Sequence, residues 1–149
     1  VNSVLVADLS IDDADEILQP AASAGLDTVF MVTPNTNPER MKLIASKTTG
    51  FIYTVSVLGV TGSRNQLSNQ IEGLIQKLKE ITDIPICVGF GISSPEHAAT
   101  IAKAGANGVI IGSKIVEFIE KNLQNKNQMK ENISSFIKNV KSAITNNVL

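Results

Sequence analysis

Short runs of β-branched and aromatic residues alternate with longer stretches of helical periodicity along the whole chain, and this alternation constrains the fold more than any other feature. Strand and helix units in series need crossover connections, so their strands lie parallel in a sheet covered by helices. Five such βα units can be counted. The first strand is expected at residues 4–7, ending at Asp8. Its helix begins near Ile11-Asp12-Asp13, where acidic residues suit the positive end of the dipole, and stops at Gly25. The second strand is expected at 28–32, and its exit, Thr33-Pro34-Asn35-Thr36, leads to Asn37 as N-cap and Pro38 as the first helical residue of a helix that ends before Gly50.

The third strand, expected at 51–56, gives way to the loop Val57-Leu58-Gly59-Val60-Thr61-Gly62-Ser63-Arg64-Asn65. That is long for a βα connection, which usually takes about 2–6 residues, and long loops of this kind often close over ligands. A helix over 66–80 follows, with Leu67, Ile71, Leu74, Ile75 and Leu78 at core spacing. The fourth strand, 84–88, runs into Gly89-Phe90-Gly91-Ile92-Ser93, then Ser94 as N-cap, Pro95 at the first helical position and a helix closed by Gly105. The fifth strand, 108–111, meets Gly112-Ser113, a short helix over 114–123, a polar break at 124–127 and a last amphipathic helix over 128–145. Five units in series fit either an open doubly wound sheet or part of a (β/α)8 barrel. A complete barrel takes about 250 residues, so in the second case the 149 residues form a single domain, the last five-eighths of a barrel.

Composition narrows the function classes. A formal net charge of -1 and 43% hydrophobic residues describe an ordinary globular chain with no polyanion-binding face. Nucleic acid is therefore not an expected partner. Cys87, the single cysteine, sits in the apolar run Ile84-Pro85-Ile86-Cys87-Val88 and reads as a buried structural thiol of a reducing compartment. No run is long enough for a membrane span, and no charged and apolar leader is present, so a cytoplasmic location is expected. The chain starts at Val1, already approaching a strand, and reads as an excerpt of something longer.

The chemistry concentrates at two turns. A glycine directly after a strand lets backbone N–H groups approach a ligand, and the next helix N-terminus offers unpaired donors and a positive dipole end to an anion. Gly89-Phe90-Gly91 and Gly112-Ser113 form two such turns about twenty residues apart, the second followed by a short helix. In barrels the loops after the last two strands, with a short helix N-terminus, are a frequent phosphate site. Other candidates are weaker. Asp8, at a strand's C-terminal end, can act as an acid, base or orienting group, but one carboxylate is no acid/base pair. Tyr53 points either into the barrel or onto the helix layer, with core packing as the default. His97, the sole histidine, falls in a first helical turn and reads as solvated or capping. Neither a nucleophilic triad, nor metal-ligand spacing, nor a Walker loop is found.

The chain resembles, from end to end, the C-terminal part of the tryptophan synthase alpha subunit family. The resemblance is carried by Val4-Leu5-Val6-Ala7-Asp8-Leu9, by Gly50-Phe51-Ile52-Tyr53 leading to Gly59-Val60-Thr61-Gly62, by Gly89-Phe90-Gly91-Ile92-Ser93-Ser94-Pro95-Glu96, by Gly108-Val109-Ile110-Ile111-Gly112-Ser113-Lys114-Ile115-Val116, and by Ile119-Glu120-Lys121-Asn122-Leu123. It implies a TIM barrel lyase of tryptophan biosynthesis, present here as five of its eight units, that cleaves indole-3-glycerol phosphate by a retro-aldol reaction into indole and glyceraldehyde 3-phosphate. It implies no cofactor for that half-reaction, since pyridoxal phosphate belongs to a beta subunit partner. By the family pattern Gly62, Gly91, Gly112 and Ser113 hold the substrate phosphate, Phe90 and Tyr53 line the indole end, and Thr61 supports a catalytic aspartate from the closing loop. Asp8 and Thr33-Pro34-Asn35 match positions facing the beta subunit. Where many members carry an arginine shortly before Gly-Val-Thr-Gly this sequence has Val57, a change expected to weaken loop closure or its communication with the partner. The family's catalytic glutamate and indole-binding aspartate belong to its first three βα units, so they are expected upstream of Val1 and the 149 residues alone are expected to be inactive. The alternatives are another phosphate-sugar barrel enzyme, such as an isomerase or epimerase, and a non-catalytic phosphate-binding fragment. An unclosed barrel leaves strand edges and interior side chains uncovered, so self-association or swapping is expected.

Overall fold

The ladders between strands are all parallel in the computed structural model, which describes residues 1–55, 64–89 and 91–148. The strands are β1 (Ser3–Val4), β2 (Asp27–Thr28), β3 (Phe30–Val32), β4 (Ile52–Val55), β5 (Ile86–Gly89) and β6 (Gly108–Ile110). The helices are α1 (Asp15–Ser23), entered through a 3-10 turn at Ile11–Asp13, then α2 (Pro38–Lys47), α3 (Arg64–Lys79), α4 (Pro95–Lys103), α5 (Ser113–Lys121) and α6 (Lys126–Val148). β1 pairs with β2, and β3-β4-β5-β6 form a four-stranded sheet in chain order. A doubly wound sheet reverses its strand order at a switch point, whereas a barrel does not. Sequential order settles the choice, and the chain is a partial barrel.

The second strand departs from expectation, because residues 28–32 are two strands rather than one. Thr28 explains the break. Its Oγ1 donates to Lys47 O at 2.8 Å and its N–H to Thr49 Oγ1 at 2.9 Å, while the N–H groups of Thr49 and Gly50 both donate to Thr28 O. The chain leaving α2 thus occupies the side of Thr28 that β4 would use, and the ladder to β4 starts only at Phe30 against Ile52. On the other side Val29 N–H still donates to Val4 O at 3.0 Å. β1 is also shorter than the expected 4–7, with Leu5 and Val6 exposed.

Helix ends follow the predicted signals. Asn37 Oδ1 accepts from Arg40 N–H and Ser94 Oγ from His97 N–H, each with proline at the first helical position. Gly25 and Gly105, with φ of 65° and 99°, close α1 and α4. The polar break before α6 contains Asn125, whose Oδ1 accepts from Gln128 N–H, so α6 starts two residues earlier than expected.

Because side chains alternate across a strand, the two faces of the sheet differ. Phe30, Val32, Ile52, Thr54, Ile86 and Val88 are buried, and the apolar ones share a core with helix residues such as Met41, Ile44, Ile75, Leu78 and Ile101. That is the outer face of a barrel under its helices. The predicted stripe of α3 is borne out at Ile71, Leu74, Ile75 and Leu78, while Leu67 lies outside the described side chains. α6 packs on α4 and α5, with Phe136 against Phe118, ring centroids 5.4 Å apart at 55°. The opposite face, with Met31, Tyr53, Val55, Cys87 and Ile110, is only half-buried. It is the barrel interior, and the functional groups lie there.

Candidate functional site

β5 and β6 deliver the two glycine turns side by side, since Gly89 pairs with Ile110 and both strands end within one residue of that pair. Gly91, two residues beyond β5, has a φ of 74°, in the left-handed region that favours glycine. After β6 it enters α5 directly, with Gly112 in the N-cap position and no side chain capping it. Gly112 O accepts from the N–H groups of Ile115 and Val116 at 2.9 and 3.1 Å. The N–H groups of Gly112, Ser113 and Lys114 take no hydrogen bond among the described residues and lie as free donors at the positive end of the helix.

The two turns face one space. Gly91, Ile92 and Ser93 after β5 and Gly112, Ser113 and Lys114 after β6 line the same cleft of about 410 Å³. Tyr53 and Ile110 from the inner face and Glu117 from α5 also line it. Of the two faces open to it, Tyr53 takes the inner one, in register with Met31 and Cys87. It is half-buried, and a Cβ on Gly89 would press on its ring edge and hydroxyl, closer than van der Waals contact allows. The missing side chain at Gly89 gives Tyr53 its position.

Charge at the cleft comes from Lys114 and Glu117 of α5, and Lys121, one turn further on, joins them through Glu117. Glu117 Oε2 accepts from Lys114 Nζ at 2.8 Å, and its Oε1 accepts from Lys121 Nζ. These two ammonium groups hold the Glu117 carboxyl down to about 2. Lys114 Nζ also sits 5.1 Å above the Phe118 ring. The reading of the turns missed this triad, although Lys, Glu and Lys at spacings of three and four along a helix are the signal that would have found it.

The remaining candidates are not brought into the cleft. Asp8 is exposed beyond the short β1. His97 lies in the first turn of α4, where its backbone N–H donates to the Ser94 cap and its Nδ1 lies 3.5 Å from Ser93 Oγ. The Thr33-Pro34-Asn35 loop is held by Thr33 N–H donating to Thr36 Oγ1, with Pro34 and Asn35 exposed. Cys87 is half-buried rather than buried, because it lies on the uncovered inner face beside Gly108, and burial pushes its thiol up. Val57, Gly59, Thr61, Gly62 and Phe90 lie outside the described residues. Among the described residues no group of three or more His, Cys, Asp or Glu is placed to hold a metal ion, and no helix is long and apolar enough to cross a membrane.

Known proteins give this arrangement a family. The family model described as tryptophan synthase alpha chain matches residues 1–145. The tryptophan synthase alpha chain of Methanoregula boonei is 42% identical over 143 residues, which are 96% of this chain and 54% of that relative. That of Prochlorococcus marinus is 43% identical over 143 residues, 96% of this chain and 50% of the relative. Among solved structures, a chain of the tryptophan synthase α2β2 complex from the hyperthermophile Pyrococcus furiosus is similar with a TM-score of 0.82 at 36% identity, covering 95% of this chain and 56% of that one. The chain spans about half the length of the curated relatives it matches. Its sequence and its partial barrel agree: the chain belongs to the tryptophan synthase alpha chain family.

Proposed function

We propose that this chain is the phosphate-binding part of an enzyme that cleaves indole-3-glycerol phosphate into indole and glyceraldehyde 3-phosphate, with a pyridoxal phosphate-dependent beta subunit as partner. The observation that carries the proposal is the cleft shared by the turns after β5 and β6. Free N–H groups from Gly112 and Ser113, the α5 dipole and the Gly91 turn fit the tetrahedral oxygens of a phosphate monoester, and such charge-assisted bonds are among the stronger ones a backbone makes. Tyr53 stands deeper on the inner face, where a flat aromatic ring of the substrate would extend from the phosphate. Gly62 and Phe90 complete the phosphate and indole ends by the family pattern, and Thr61 supports the catalytic aspartate.

Retro-aldol cleavage breaks the bond between the indole ring and the glycerol chain. One group must take the proton of the glycerol hydroxyl, and another must favour the indolenine tautomer in which that bond breaks. Neither is supplied by the cleft residues, and the family pattern assigns both to its first three βα units. The grip on the phosphate is remote from the reacting carbons, and its role is to hold the substrate in register for groups that act elsewhere. The cleavage itself draws on no cofactor.

Calorimetric titration with sn-glycerol 3-phosphate, paired with an assay for indole release, tests the proposal. Binding of the phosphate ester without indole formation is expected of the 149-residue chain. No binding would overturn the assignment of the cleft, and indole formation would show that the chain carries its own acid and base.

A further inference from the structure

We propose that Lys114 is a charged contact to the substrate phosphate, stored on Glu117 while the cleft is free and released to the anion when it arrives. The inference rests on the reading of the cleft as a phosphate site. Backbone donors and a helix dipole offer only partial charges to a dianion, and Lys114 is the cation among the residues lining the cleft. It occupies the second position of α5, next to the free N–H groups. Its Cα–Cβ bond tilts toward the helix N-terminus, so a rotation of its flexible stem carries Nζ from Glu117 toward the anion.

The geometry around Glu117 makes that transfer inexpensive. Glu117 holds Lys114 with Oε2 and Lys121 with Oε1, so the three groups together carry one unit of excess positive charge. When Lys114 leaves, Lys121 still neutralises the carboxylate, and no charge is stranded. The ring of Phe118 beneath Lys114 guides the ammonium without binding it as a counter-ion would. Lys114 thus acts as a specificity residue for doubly charged phosphate esters, and Glu117 sets how readily it is given up.

Titrations of sn-glycerol 3-phosphate into the wild-type chain, Lys114→Gln, Lys114→Arg and Glu117→Gln, at low and high ionic strength, test this. Lys114→Gln is expected to weaken binding about fivefold at low salt and to flatten its salt dependence. Lys114→Arg retains most of the affinity, and Glu117→Gln binds about twofold tighter because Lys114 is free from the start. Unchanged affinity and salt slope in Lys114→Gln, or unchanged or weaker binding in Glu117→Gln, would overturn the inference while leaving the cleft assignment intact. Absence of binding to the wild-type chain would instead sink the cleft assignment and this inference with it. If circular dichroism shows Lys114→Gln unfolded, the Glu117→Gln arm decides: tighter binding supports the inference, and an unchanged or lower affinity refutes it.

Discussion

Gly89 and Tyr53 share one volume, and that sharing places an aromatic ring at the wall of the cleft. Gly89→Ala would set a methyl group against the ring and is expected to destabilise the chain by about 1–3 kcal/mol, the usual cost of overpacking, as read from the urea midpoint. An unchanged midpoint would mean that the ring swings aside freely and that the glycine is not needed for its placement. Glu117 makes a second prediction at this scale. Hydrogen bonds from Lys114 and Lys121 lower its carboxyl from 4.5 to about 2. A depressed carboxylate contributes stability that is complete above its unfolded value and is lost as pH falls through the folded one. The thermal midpoint of Glu117→Gln should therefore lie slightly below wild type at neutral pH and converge with it near pH ~2, the difference being small because the site faces solvent. A gap that persists at the acid end would contradict the two lysine contacts. Of these residues, the glycines and the Ser94-Pro95 start were legible in the sequence because backbone geometry demands them. The face taken by Tyr53 was not, since Phe51-Ile52-Tyr53-Thr54-Val55 gives no alternation of polarity to orient it.

At the scale of elements, helices were read closely because caps and periodicity are local signals, while the strands were read less well because their limits depend on neighbours. The division between β2 and β3 illustrates this. Residues 28–32 have uniform strand propensity, and only the return of the chain after α2, bonded to Thr28, decides which residues reach β4. Thr28 is 2% exposed. Thr28→Val keeps its shape but removes the donor to Lys47 O, and an expected loss of about 1 kcal/mol follows from leaving a part-buried acceptor unpaired. Chemical denaturation measures it, and a neutral substitution would show that this carbonyl finds water instead.

Across the whole molecule, the sequential parallel order and the two-faced sheet identify a barrel segment, and the order of βα units was visible in the sequence before any ligand chemistry. What the sequence does not display is how bare the inner face is. Met31, Tyr53, Val55 and Cys87 are half-buried there, and among the described residues β1 and β6 each have one strand neighbour. Uncovered edges and apolar interior side chains favour pairing with another chain, so the 149-residue chain should self-associate. Size-exclusion chromatography with light scattering reads this directly, and a well-behaved monomer across a wide concentration range would contradict it.

The central claim, that the turns after β5 and β6 form one phosphate cradle, is tested most directly by following backbone amide resonances during titration with sn-glycerol 3-phosphate. The account predicts that the amides of Gly91, Ile92, Gly112 and Ser113 shift together along one binding curve. Shifts confined to one turn, or two turns following separate curves, would contradict it.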